Sequence, residues 1–418
     1  MHIVNYKIGL LGFGLIAGMT ACNSGAGSTR STSDADSSLA PVETKDPNTT
    51  YQPAFQGQTR APGMKTSVDL DIQVLNEHLE QPWAIATLPD GRFLVTQNKG
   101  NMLILKPDGS VDKTITGLPE VESSGQGGLL DVTSAPDFES SRMIFWGYSE
   151  KQASGGMLHA IAKGRLSEAE TAIEQIQVIY RATPAHTGKL QYGGRIVFDQ
   201  QGNLFVSFGE RSDKEIRVQA QDLNSSLGKI IHIDQQGKAV PGGPFENTDN
   251  ARAEIYAYGF RNPDGLAWNP VTGDLWEAEF GPRGGDEINI IQAGKNYGWP
   301  VITYGIEYSG EAVGEGVQQK DGMEQPVYYW DPVISPGGIT FYDGDLIPEW
   351  KGNLFVGGLS GQHIARLKIE DNKVVGEERL LEGKDERFRA LTTGADGALY
   401  AVTDGGRLYR IGKKETAQ

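Results

Sequence analysis

The chain is poor in cysteine, in long apolar runs, in helical periodicity and in positive charge, and each shortage closes off a class of protein. Cys22 is the single cysteine among 418 residues, so neither an intramolecular disulfide nor a thiolate metal site is available. The apolar run from Ile8 to Ala17 is too short to span a bilayer as a helix. No second long apolar stretch follows it. Lys plus Arg total 38 against 54 Asp plus Glu, a formal charge of −16. Such a surface repels nucleic acid and anionic lipid, so neither is an expected partner. The same field disfavours acidic substrates and leaves neutral sugars unopposed.

What is present begins with a leader. Lys7 precedes the short apolar run, which ends in small residues, as in a secretory signal. Met19-Thr20-Ala21-Cys22 has the form of a lipobox, in which the Cys22 thiol is acylated and becomes the mature N-terminus. Residues 1–22 are therefore expected to be a lipoprotein signal peptide. The expected location is lipid-anchored, on an outer membrane facing the periplasm or the cell surface. Residues 23–60 are rich in Ser, Thr, Gly and Asp without apolar periodicity, and read as a flexible tether. Residues 61–418 read as one folded domain.

Glycine is abundant, at 55 residues, and is spread through turns. A turn followed by a short alternating strand recurs. Clear copies are Pro89-Asp90-Gly91-Arg92-Phe93-Leu94-Val95-Thr96, Asp199-Gln200-Gln201-Gly202-Asn203-Leu204-Phe205-Val206 and Ala395-Asp396-Gly397-Ala398-Leu399-Tyr400-Ala401-Val402. Weaker copies lead into Met143-Ile144-Phe145-Trp146, Asp274-Leu275-Trp276 and Asn353-Leu354-Phe355-Val356. Each joins a turn that needs positive φ to a β-branched or aromatic strand. Six such units predict an all-β fold, a six-bladed β-propeller of four-stranded antiparallel blades with insertions in the middle blades. Leu166–Ile179 carries helix formers but reads in this setting as a blade strand with its connecting loop. In a propeller, loops on one face of the ring converge on the central channel, so polar residues there are candidate site residues.

The run from Tyr258 to Trp268 (Tyr-Gly-Phe-Arg-Asn-Pro-Asp-Gly-Leu-Ala-Trp) is followed by Glu279-Phe280-Gly281-Pro282-Arg283-Gly284-Gly285-Asp286-Glu287 and by Asn296-Tyr297-Gly298-Trp299-Pro300. Together they resemble the signature of the glucose/sorbosone dehydrogenase family, in particular its aldose sugar dehydrogenase branch. Gln126-Gly127-Gly128-Leu129-Leu130-Asp131, Gly193-Gly194-Arg195, Gly209-Glu210 and Arg387-Phe388-Arg389 extend the likeness across the folded body. The resemblance implies a six-bladed propeller that uses pyrroloquinoline quinone (PQQ) and calcium to oxidise aldoses, passing electrons to a soluble or membrane acceptor.

By the same resemblance, Arg261, Arg387 and Arg389 are the cations for the cofactor's three carboxylates, a task to which guanidinium is suited. Asn262 would hydrogen-bond the quinone edge, and Gln126 belongs to the cofactor set. Read in isolation, Arg387 and Arg389 are two arginines alternating about Phe388 on a strand. The carbonyls of Gly281 and Pro282 would hold one calcium, and Glu287 with the Tyr297 carbonyl a second, both being the oxygen donors a hard cation takes. Asp286-Glu287 also reads as a solvated turn pair.

Two positions depart from the family pattern. A histidine that accepts the sugar hydroxyl proton is expected two residues before Gly193-Gly194-Arg195, where this chain has Gln191. An amide accepts no proton near neutral pH. The family tends to place a lysine on PQQ where this chain has Ser360. Glu210 and His186 are the candidate substitute bases; His78, His159 and His232 fall in strand-like segments, and His363 lies near Ser360. Three readings follow: a PQQ- and calcium-dependent aldose dehydrogenase, a propeller that holds PQQ or sugar without turnover, and a calcium-dependent hydrolase such as a lactonase. The retained arginines argue against the third, which has no tricarboxylate to hold.

Overall fold

The computed structural model describes residues 39–415. The leader, Cys22 and the first part of the expected tether lie outside the described residues. Within them are six four-stranded antiparallel sheets arranged in sequence around an axis. Blade 1 spans Pro82 to Ile115, blade 2 Leu129 to Arg181, blade 3 Gly193 to Tyr258, blade 4 Pro263 to Trp330 and blade 5 Pro336 to Leu380. Blade 6 takes its three inner strands from Phe388 to Lys413 and its outermost from Leu70–Asn76. Pairing of Leu70–Asn76 with Leu408–Lys413 closes the ring with the two ends of the domain. The expected fold is the observed one.

The six recurring turns all occupy one structural place, the hairpin between the first and second strands of a blade. Leu88 N–H donates to Arg92, Asp199 N–H to Asn203 and Gly394 N–H to Ala398 across these hairpins. The left-handed positions are Gly91 (φ 83°), Gly202 (φ 80°) and Gly397 (φ 76°), where a side chain would be strained. In blade 2 the same turn is a single helical turn, Phe138–Ser141, ended by Arg142 at φ 55°. Leu166–Ile179 closes the strand Met157–Leu166, crosses a turn and enters the strand Ile173–Arg181. Apolar clusters fill the wedges between adjacent blades, such as Leu130, Trp146 and Ile144 between blades 1 and 2.

Every blade's innermost strand begins with a register shift, at Pro82/Ala84, Leu129/Val132, Gly193/Ile196, Pro263/Gly265, Pro336/Ile339 and Phe388/Ala390. A bulge leaves a residue out of the ladder and re-aims its side chain. Here the residues at the shifts include Trp83, Asp131, Arg195, Asp264 and Arg389. Arg195 reaches all five other blades. Its guanidinium pairs with Asp131 (2.9 Å), donates to the backbone carbonyls of Asp264 (2.6 Å) and Arg389 (3.4 Å), and lies 4.3 Å from the Trp83 ring centre. On blade 5 its neighbour is Gly338, where an added Cβ would stand 2.8 Å from the guanidinium.

The tether expectation changes for residues 39–60. Asn48 and Thr49 give the Asp331 carboxylate four hydrogen bonds of 2.8–3.0 Å, two from backbone and two from side chains. Glu43 pairs with Arg379 at 2.6 Å, and Arg60 donates to the carbonyls of Glu43, Lys45 and Asp331. Composition alone suggested a segment unable to bury itself; these polar anchors on blades 4 and 5 hold it instead.

Replacing Arg195 with Ala leaves Asp131 buried without its partner, and unfolding in denaturant is expected to show a loss of about 3–5 kcal/mol. Asp331→Ala removes charge-assisted hydrogen bonds worth roughly 2 kcal/mol or more in sum. Limited proteolysis is expected to cut within residues 39–60 at least about tenfold faster in this variant, with the propeller left intact.

Candidate active site

The bulged strand starts and the loops on the same side of the ring enclose a cavity of about 270 Å³ on the axis. That is near the lower end of small-molecule pockets. Its walls come from the start of blade 1 (Pro82, Trp83), the loop into blade 2 (Ser123–Gln126) and the start of blade 3 (Tyr192, Gly193). Asn262, Asp264 and Phe280 supply the blade 4 side, Leu359 that of blade 5, and Arg387, Arg389 and Asp404 that of blade 6. The repeated glycine turns lie at the opposite ends of the strands, away from this mouth.

The charged wall is a tight set. Asp404 accepts from Arg389 Nε (2.8 Å) and Nη2 (3.1 Å), and from Arg387 Nε (2.8 Å). Burial alone would raise Asp404, but the two guanidiniums hold its carboxyl below the usual range. Arg387 is the more open, with its side chain 47% exposed against 17% for Arg389. Asp264 stands across from Arg389 Nη1 at 3.7 Å and accepts one hydrogen bond, from Asn262 Nδ2 at 3.1 Å. Burial pushes its carboxyl up to about 6, opposed by Arg389 and Arg195. Asn262 is itself fixed by donation from Gly193 N–H to its Oδ1 (3.0 Å).

Of the residues expected at the site, Gln126, Asn262, Arg387 and Arg389 line this cavity. Gln126 Oε1 accepts from Gln191 N–H at 2.7 Å. Gln191 is buried beside the lining, at φ 50°, and its own Oε1 has no partner. Arg211 holds this loop: it donates to the carbonyls of Met157, Gly188 and Leu190, and its guanidinium lies 3.8 Å from the Tyr192 ring centre.

Five expectations change. Glu210 is fully buried behind the lining; Ser212 N–H donates to Oε2 and Oε1 is unpaired. Burial pushes its carboxyl up to about 7, with Arg261 opposing. His186 turns away, its Nε2 2.6 Å from Asp213, because its backbone is bridged to Met157. Ser360 is exposed and bonds Ser335 Oγ at 2.7 Å, so Leu359 faces the cavity in its place. Arg261 donates to the carbonyls of Phe280 (3.0 Å) and Gly281 (2.8 Å), which removes it from the cavity and sets a cation on the carbonyl expected to bind calcium. A calcium at Gly281 and Pro282 does not fit while that bond stands.

The second expected metal position is different. Arg261, Glu279, Gly281, Glu287 and Tyr297 line a smaller pocket beside the main one. Glu279 and Glu287 are cross-strand partners, with Glu277 and Asn289 the next such pair. Burial raises all three glutamates, and for Glu277 and Glu287 the Glu279 charge adds to it. Glu277 Oε1 and Asn289 Oδ1 are buried without partners. Among the described residues no three His, Cys, Asp or Glu side chains converge on one metal position. Glu279, Glu287 and the Tyr297 carbonyl are hard oxygens of the kind calcium takes, while Glu277 Oε1 and Asn289 Oδ1 lie beyond the pocket lining and Arg261 shares it.

Sequence reasoning passed over Asp264, Asp404 and Trp83. Asp264 stands within the Tyr258–Trp268 motif, but nothing in the motif distinguishes a turn aspartate from one aimed at the axis. Asp404 follows a strand that ends at the cavity face, a weak signal. His159, read from sequence only as lying in a strand-like segment, is a core histidine: burial pushes it down to about 3, and Nδ1 is 3.2 Å from the Tyr192 carbonyl.

Residues 79–410 match the profile of the glucose/sorbosone dehydrogenase family. The chain is 41% identical over 349 residues to the aldose sugar dehydrogenase YliI of Escherichia coli, covering 82% of this chain and 92% of that protein. It is 26% identical to quinoprotein glucose dehydrogenase B of Acinetobacter calcoaceticus, over 81% of this chain and 86% of that one. The solved apo-form of the E. coli soluble aldose sugar dehydrogenase superposes with a TM-score of 0.79 at 40% identity, covering 83% of this chain and all of that chain. The PQQ-bound aldose sugar dehydrogenase of Streptomyces coelicolor gives 0.68 at 26% identity, over 84% of this chain and all of that chain. Residues 39–78, including the docked strap, precede the matched region. A six-bladed propeller matched by this family profile over residues 79–410, and 41% identical to a relative over 82% of its length, belongs to the glucose/sorbosone dehydrogenase family.

Proposed function

We propose that the protein oxidises aldose sugars to lactones, with PQQ bound in the axial cavity and electrons passed on to an external acceptor. The observation that carries this reading is the pair of guanidiniums, Arg387 and Arg389, converging on an on-axis cavity walled by Trp83, Tyr192 and Phe280. That combination suits a flat polyanion, and the similar aldose sugar dehydrogenase of Streptomyces coelicolor has been solved in a PQQ-bound form. When bound, the quinone supplies a two-electron acceptor for hydride. The protein's part is to orient the sugar's anomeric C–H toward it and to take the hydroxyl proton. Asn262, held by Gly193 N–H, offers an amide at the cavity wall. Gln191, held by Gln126 and Arg211, orients the wall without accepting a proton.

Calcium is proposed at the smaller pocket, held by Glu287 and the Tyr297 carbonyl with Glu277, Glu279 and Asn289 adjacent. Its contribution there is to neutralise the clustered carboxylates and stiffen the Gly281–Asp286 loop beside the cavity. Export and acylation at Cys22 are proposed from the lipobox alone, and would hold the enzyme at an envelope membrane close to a soluble or membrane-borne acceptor. The exchange of the expected histidine for Gln191 favours one second reading, a propeller that binds PQQ or sugar without turning over.

Calorimetric titration of metal-supplemented protein with PQQ, followed by dye reduction with a panel of aldoses, separates these readings. Saturable binding with dye reduction is expected; binding alone leaves the second reading, and no binding overturns both. Arg389→Ala and Arg387→Ala are each expected to weaken PQQ by about tenfold or more, the scale of a charge-assisted hydrogen bond. Calcium is expected to raise the Tm of the unmodified protein, by an amount equivalent to about 2.7 kcal/mol at a hundredfold excess over Kd. Glu287→Gln is expected to abolish that rise, and an unchanged response would exclude the pocket.

A further inference from the structure

We infer that Asp264 is the proton acceptor of the reaction: its carboxylate takes the anomeric hydroxyl proton as hydride leaves the sugar. The assignment rests on the dehydrogenase reading above and deepens it. In balanced form, the C1–H bond breaks with its electron pair passing to the quinone, the O–H bond breaks with its proton passing to Asp264, and the oxygen's electrons form the C1=O bond of the lactone. The proton then leaves Asp264 to water at the cavity mouth.

The geometry selects Asp264 by what reaches the cavity. Two carboxylates line it, Asp264 and Asp404. Asp404 has both oxygens engaged by Arg387 and Arg389, which leaves it a poor base. Asp264 Oδ1 accepts from Asn262, while Oδ2 accepts no hydrogen bond and meets Arg389 Nη1 only at 3.7 Å. One oxygen is therefore positioned and the other is available. The other candidates are placed elsewhere. Glu210 is behind the wall, His186 is turned to Asp213, and His159 has no place in the lining.

The backbone explains why an aspartate at this position faces the cavity. Asp264 is the residue left out of the ladder by the bulge between Pro263 and Gly265, and Arg195 fixes that bulge by donating to the Asp264 carbonyl at 2.6 Å. A general base works best when its pKa is near the working pH. Burial moves Asp264 in that direction, to about 6. The charged groups that face it are Arg389 on blade 6, Arg195 on blade 3 and Asp404 on blade 6, with Glu277 on its own blade feeling its charge. The two arginines favour the carboxylate, and Asp404 and burial favour the acid.

The test compares Asp264→Asn and Asp264→Ala with the unmodified protein, all loaded with PQQ and calcium. A base with a pKa near 6 is protonated and inactive below that pH, so kcat/KM is expected to rise through about pH 6 and level off above it. In Asp264→Asn, kcat is expected to fall about 10²- to 10⁴-fold, with the acid limb lost. PQQ binding by calorimetry is expected to stay within about threefold, since Arg387 and Arg389 are retained. Formate, a small carboxylate that fits the vacated volume, is expected to restore part of the rate of Asp264→Ala in proportion to its ionised fraction. Loss of PQQ binding in Asp264→Asn, or an acid limb that survives there and vanishes in Glu210→Gln, would overturn the assignment. Failure of the unmodified protein to bind PQQ would instead sink the broader reading.

Discussion

The interaction on which the rest of this structure depends is the contact of one guanidinium with five blades. Arg195 starts from blade 3 and meets Trp83, Asp131, the Asp264 carbonyl, Gly338 and the Arg389 carbonyl. A propeller has no continuous core at its axis, because its apolar packing lies between neighbouring blades. Something must tie the inner strands together where they come closest. A buried charge is costly unless it is paired and hydrogen-bonded. Arg195 is satisfied by Asp131 and by carbonyls that bulges have freed from their ladders. The same contacts hold the backbone of the two residues, Asp264 and Arg389, whose side chains line the cavity.

Around that plug the site balances its charges closely. Arg387 and Arg389 stand against Asp404 and Asp264. A polyanion entering the cavity therefore competes with Asp404 for the arginines rather than meeting a bare positive surface. This suits a rigid cofactor that can make two-point contacts to each guanidinium. It also sets Asp264 in a neighbourhood where its protonation responds to what is bound. The smaller pocket beside it has a different character: Glu279 and Glu287 stand together beside Arg261, and burial raises both carboxyls.

The strap of residues 39–60 shows how composition misleads. The Ser, Thr, Gly and Asp content of the longer stretch 23–60 reads as a chain that cannot bury itself, yet residues 39–60 themselves hold no Ser and a single Asp. The strap is held by charge-assisted hydrogen bonds to Asp331 and Arg379, whose positions no local pattern announces. Arg261 is a similar case. The resemblance implied a cation for the cofactor's carboxylates, but its fork closes on the carbonyls of Phe280 and Gly281 within its own neighbourhood. Side-chain direction depends on the torsions of the loop it meets, and these are not encoded in its own motif.

Fold class and blade number were determined by the sequence alone, because positive-φ turns and alternating strands are local properties that recur once per blade. Gln126, Asn262, Arg387 and Arg389 were legible as site residues only through the family resemblance of the motifs that carry them. Tertiary structure decided which of these side chains meet. It withdrew Arg261, His186 and Ser360 from the cavity, buried Glu210 behind it, and brought Asp264 and Asp404 together from blades 4 and 6. Those outcomes turn on bulges, on competing carbonyl acceptors and on contacts across the ring between residues up to 194 positions apart, such as Arg195 and Arg389. Such contacts exist only once the ring has closed, so no reading of neighbouring residues could have supplied them.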